Sequence, residues 1–73
     1  MDTQLFFERM AEILEVPPGA VSADFRLAEG QWDSVAVMST IALIDELSGA
    51  AVSGEQMNAC ATVGDLLELA WPS

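Results

Sequence analysis

Directly after Gln31-Trp32-Asp33-Ser34 the chain enters an unbroken helix-shaped run from Val35 to Leu47, with Gly49 just beyond it. Nothing inside that run turns the backbone, so it predicts one helix beginning at Ser34 or just after and ending at Ser48. Gly49 is placed to take the positive φ that closes it. Its apolar residues exceed what one buried face needs. At about 100° per residue, Ala36, Val37, Ile41, Leu43, Ile44 and Leu47 gather on one broad side, the expected core side. Val35, Met38 and Ala42 fall opposite, beside Ser39, Asp45 and Glu46. Two readings of this second stripe stand. Scattered surface apolar residues are ordinary, while a strip of them edged by carboxylates is also a surface on which a partner protein can dock.

The remaining segments are helical as well. Asp2 or Thr3 can cap a first helix running to about Leu14, with Leu5, Phe6, Phe7, Met10, Ile13 and Leu14 on one side and Glu8, Glu12 and Glu15 on the other. Pro17-Pro18-Gly19 stops it. The segment through Gly30 has no sustained period and reads as a long loop whose Val21, Phe25 and Leu27 tuck against the core. After Gly49 a connector leads into a short helical turn, Glu55 to Ala59 or Cys60. A last helix starts at Thr62, where Asp65 completes a capping-box pattern and Val63, Leu66, Leu67 and Ala70 face inward. The expected fold is therefore all-α, a small four-helix bundle of three main helices and one short one with a long first loop. Residues 1–73 are expected to form a single domain.

Composition narrows what such a bundle can do. A chain of 73 residues hides only about 60% of the surface its unfolded form exposes, so one modest core is expected and no deep pocket. With 52% hydrophobic residues the core can be filled, and the twelve acids, set against two arginines and no lysine, must lie outside. A net charge of −10 repels nucleic acid and anionic lipid, favours a monomer, and suits brief contacts with proteins that carry basic patches. Met1 to Leu14 lacks the pattern of a secretory leader, and no apolar run approaches the roughly 20 residues that span a bilayer, so a cytoplasmic protein is expected. Cys60 stands alone and reads as a small buried hydrophobe. Without histidine or lysine, no serine or cysteine nucleophile has an evident base, and no metal-site spacing exists. Asp45 and Glu46, adjacent on a helix, point in different directions and read as a solvated face. No catalytic residue is expected.

Ser34 also admits two readings. Aspartate and serine are both favoured where a helix begins, so taken alone Ser34 is a helix cap. Against that, Trp32 is a large aromatic to leave in a loop, and the extra apolar strip starts at once after Ser34. The positive end of the helix also stabilises a phosphoester on that hydroxyl. Because Asp33 and the overall charge repel a dianion, an attached phosphate should be a singly charged diester.

Trp32-Asp33-Ser34-Val35, the helix after it, and Thr62-Val63-Gly64-Asp65-Leu66-Leu67 resemble the corresponding parts of acyl carrier proteins, whose attachment motif is Asp-Ser followed by an aliphatic residue. The similarity covers essentially the whole chain. It implies that a separate phosphopantetheinyl transferase, using magnesium and coenzyme A, joins 4′-phosphopantetheine to Ser34. The terminal thiol of that arm then holds an acyl group as a thioester for acyl-loading, condensing and acyl-transfer enzymes. Asp33 matches the motif aspartate, expected to help position the metal or the serine. Val35, Met38, Asp45 and Glu46 match the family's docking positions. One departure concerns Ala36 and Ser39, which stand where the most acidic fatty-acid carriers have carboxylates; this hints at a dedicated pathway, polyketide-like or of a specialised lipid. Two rivals share parts of the pattern. A peptidyl or aminoacyl carrier has the same serine chemistry but different residues before the serine, and an unmodified acidic adaptor would use only the Val35-Met38-Ala42 strip.

Overall fold

The computed structural model describes residues 2–72, and among them the chain forms four α-helices: α1 Thr3–Leu14, α2 Ser34–Ser48, α3 Gly54–Asn58 and α4 Val63–Ala70. Local chemistry sets most of their ends. Asp2 caps α1 by accepting from the Leu5 N–H, and Asp33 caps α2 by accepting from the Ala36 N–H at 2.9 Å. Gly49, at φ 77°, closes α2 and donates its N–H to the Asp45 carbonyl. Thr62 and Asp65 form the expected capping box at α4, and Ser53 with Gln56 forms a second one at α3 that the sequence reading did not pick out. The first helix stops before the prolines rather than at them. Glu15 takes a left-handed conformation, φ 58°, and the Val16 N–H reaches back to the Ala11 carbonyl at 3.0 Å.

α2 is the central element, packed against α1, α3 and α4. The core joins Phe6, Met10, Ala11 and Leu14 of α1, Leu43 and Ile44 of α2, Met57 of α3, and Val63, Leu66 and Ala70 of α4, with Val21 and Leu27 from the long loop. Phe6 meets Trp71 edge to face, ring centroids 5.9 Å apart. Two residues differ from the helical-wheel expectation. Ala11 is buried on α1, where Leu5, Phe7 and Ile13 are only half-buried. Thr40 is fully buried on α2, with Val37, Ile41 and Leu47 half-buried around it. A threonine is tolerated there because its hydroxyl donates to the Ala36 carbonyl at 2.8 Å and lies 3.7 Å from Met10 Sδ. Among the described residues no buried side-chain polar atom lacks a partner. Cys60 is half-buried rather than buried, its thiol donating to the Gln56 carbonyl at 3.3 Å.

The loop between α1 and α2 is not slack. Single 3₁₀ turns form at Pro18–Ala20 and Leu27–Glu29. Its middle is strapped to the start of α4, with the Val63 N–H donating to the Phe25 carbonyl, the Gly64 N–H to Ala23 and the Leu27 N–H to Ala61. Its end is strapped to α1, where the Gln31 N–H donates to the Leu14 carbonyl at 2.8 Å. Gly30 makes that strap possible, since a Cβ there would fall 2.8 Å from Leu14 Cβ. The loop therefore delivers Trp32, Asp33 and Ser34 to a fixed place at the head of α2.

Candidate functional site

Ser34 is the first residue of α2, and its side chain is exposed. The cap belongs to Asp33 instead, which corrects the capping reading of Ser34. Both Asp33 oxygens are used: Oδ1 accepts from the Ala36 N–H at 2.9 Å, and Oδ2 accepts from the Gln31 side-chain amide at 3.0 Å. These two donors, the Gln31 amide first, hold the Asp33 carboxyl below its ordinary value of 3.8. Among the described residues no hydrogen bond or ion pair engages the Ser34 hydroxyl. Of the other serines, Ser48 donates to the Ile44 carbonyl and Ser53 caps α3, so both hydroxyls have local tasks. Trp32, two residues before Ser34, is not left in solvent but packs half-buried against the core.

Beyond Ser34 the outward side of α2 presents Val35, 69% exposed, and Met38, 70% exposed. Ala42, Asp45 and Glu46 follow, all exposed. The stripe predicted from the wheel thus lies open. Glu46 is not isolated, because its Oε2 lies 3.3 Å from the Arg9 guanidinium on α1. Gln31 and Arg9 were not legible as site residues. Gln31 had a weak local signal, an amide two residues before an aspartate, whereas Arg9 meets Glu46 only because α1 packs on α2. A surface depression of about 470 Å³ is lined by Gln4, Glu8, Glu12, Pro18 and Gly19. It takes no residue from α2 and lies outside this site.

The arrangement fits a phosphoester carried as a substituent. The hydroxyl is free, no side chain covers it, and the positive end of a four-turn helix faces a single negative charge placed there. The adjacent carboxylate is already turned to its own two donors. Among the described residues no group of histidine, cysteine and carboxylate side chains could hold a metal ion, and no helix is long and apolar enough to cross a membrane.

A family model described as phosphopantetheine attachment site matches residues 4–70. That match spans nearly all of α1 through α4, and the chain belongs to this family. Its members covalently carry 4′-phosphopantetheine, work as carriers rather than catalysts, and interact with partner enzymes. No curated protein and no solved structure matches the chain.

Asp65 mirrors Asp33 at the head of α4. The backbone N–H groups of Ala61, at 2.8 Å, and Thr62, at 3.1 Å, hold its carboxyl below the ordinary value as well. A carboxyl depressed in the folded state stabilises the fold above its unfolded pKa, and that contribution is lost as pH falls through the folded value. The parent is therefore expected to melt higher than an Asp33→Asn, Asp65→Asn variant at pH 7, with the gap closing below about pH 4. Circular dichroism melts of both proteins across that range check it; a gap that persists unchanged in acid would contradict the bonding described.

Proposed function

We propose that Ser34 is the residue that carries 4′-phosphopantetheine and that the protein is an acyl carrier. One observation carries the reading: an exposed hydroxyl without an intramolecular partner at the head of α2, with the capping task taken by the preceding aspartate. A phosphopantetheinyl transferase would draw on coenzyme A and magnesium. The Ser34 Oγ–P bond forms as the pyrophosphate bond of coenzyme A breaks, the serine proton is lost to base, and adenosine 3′,5′-bisphosphate leaves. The arm, once in place, supplies a thiol that holds an acyl group as a thioester.

The chain's own residues do the rest. Asp33 positions the serine by fixing where α2 begins, and Gln31 holds the far oxygen of that carboxylate. Val35 and Met38, with Asp45 farther along, form the face on which loading, condensing and acyl-transfer enzymes dock; Glu46 lies on the same face but is paired with Arg9. Residues 1–73 act as one carrier domain, monomeric and cytoplasmic, in fatty acid, polyketide or specialised lipid synthesis. The missing carboxylate at exposed Ser39 favours a dedicated pathway over a general fatty acid synthase, whereas Ala36 is buried and faces the core.

The test is intact-protein mass spectrometry after incubation with coenzyme A, magnesium and a broad-specificity transferase, followed by peptide mapping. One phosphopantetheine increment on the peptide containing Ser34 is expected. A folded protein that gains nothing while a control carrier is modified in the same tube would leave only the adaptor reading.

A further inference from the structure

We infer that the docking face of α2 fits a partner whose surface is an apolar socket with one cation at its far rim, and that Arg9 sets this preference by cancelling Glu46. The inference rests on the proposed attachment at Ser34, which makes the outward side of α2 the side that partners meet. Val35 and Met38 are the two large hydrophobic side chains that stand exposed among the described residues; the other large apolar side chains of the helices are at least partly covered. Three residues apart, they share one helix face within the first two turns after Ser34. Burying such a side chain at an interface is worth roughly tenfold to a hundredfold in affinity.

The charges are placed differently. On α2 itself the only carboxylates are Asp45 and Glu46, in its last turns. Asp45 lies about 16 Å along the helix from Ser34. At Glu46, one of the chain's two arginines already stands 3.3 Å away. An exposed bridge of this kind adds little stability, but its cation changes what a partner feels. A lysine or arginine brought to Glu46 also meets the Arg9 guanidinium, and repulsion offsets the attraction. Near Ser34, Asp33 has both oxygens turned to Gln31 and Ala36. One carboxylate free of an ion pair, Asp45, is left on the outward side of α2. The net charge of −10 still draws basic partners from a distance, which governs encounter more than contact.

The experiment is steady-state kinetics of a broad-specificity phosphopantetheinyl transferase with the full chain as the varied substrate, coenzyme A and magnesium saturating, at low and moderate salt. Met38→Ser is expected to raise KM about tenfold, and Glu46→Gln alone to change it less than about twofold. Arg9→Gln is expected to lower KM about threefold at low salt only, and adding Glu46→Gln to it abolishes that gain. Because docking and not transfer is affected, kcat stays constant throughout. Glu46→Gln raising KM as much as Met38→Ser overturns the inference, as does an Arg9→Gln variant with unchanged KM at low salt. Absence of transfer to the folded parent, with a control carrier modified alongside, overturns the carrier reading and this inference with it, and differs visibly from a parent that is modified but docks through charge.

Discussion

Ser34→Ala is expected to fold as the parent does and to acquire no phosphopantetheine at all. The two halves of that result have separate causes. The fold is indifferent because Ser34 supplies none of the bonds that begin α2: the Ala36 N–H is taken by Asp33, and the Val37 N–H by the Asp33 carbonyl at 2.9 Å. Exposed substitutions away from such features change stability by no more than about 0.5 kcal/mol, so the two melting points should agree within about 4 °C. Loss of modification is complete because an alanine side chain has no oxygen to modify and, among the described residues, no other serine stands at the head of a long helix. Ser39 is exposed but lies within α2, and Ser22 lies in the long loop. Mass spectrometry of both proteins after the same transferase reaction decides it. An increment that survives in Ser34→Ala would place the arm on another residue, and the geometry argued for the head of α2 would be wrong.

What could be read beforehand followed from how local the cause is. The caps at Asp2 and Thr62, the left-handed glycine at Gly49 and the buried positions Phe6, Met10, Leu14, Val63, Leu66 and Ala70 depend on residues within one or two turns, and the sequence displays those directly. The exposed Val35 and Met38 were legible for the same reason, since α2 carries more apolar residues than one face buries. The capping reading of Ser34 stood beside the attachment reading because aspartate and serine are nearly equal at that position. Only the register of the helix, set by a loop strapped to Leu14, decides between them. Thr40 escaped because its burial depends on Met10 arriving from another helix, and a threonine gives no sign of that. Arg9 escaped for a stronger reason. Its partner lies 37 residues away, and nothing in the surroundings of either residue announces the other.

The packing that holds this site in place should be most sensitive at Phe6. Its side chain is fully buried and meets Trp71, which follows α4, so it ties α1 to the end of α4 within the core that it shares with Leu43 and Ile44 of α2, the helix that presents Ser34. Truncating a buried phenylalanine to alanine costs about 3–5 kcal/mol. A chain of this length has a total stability of about 4–11 kcal/mol, so the loss is about a quarter of it at least. For a chain of this size each kcal/mol moves the melting point by about 4–8 °C, which predicts a fall of about 12 °C or more for Phe6→Ala. Phe6→Leu, which keeps most of the volume, should fall less, and Val35→Ala, on the exposed face, should scarcely move. Modification at Ser34 separates this cause from a damaged site. In Phe6→Ala it should slow only near the lowered melting point and recover on cooling, because the hydroxyl and its neighbours are untouched. A Phe6→Ala protein that melts within a few degrees of the parent would mean that α1 is not seated on α4 through this ring, and the support of α2 would have to come from elsewhere.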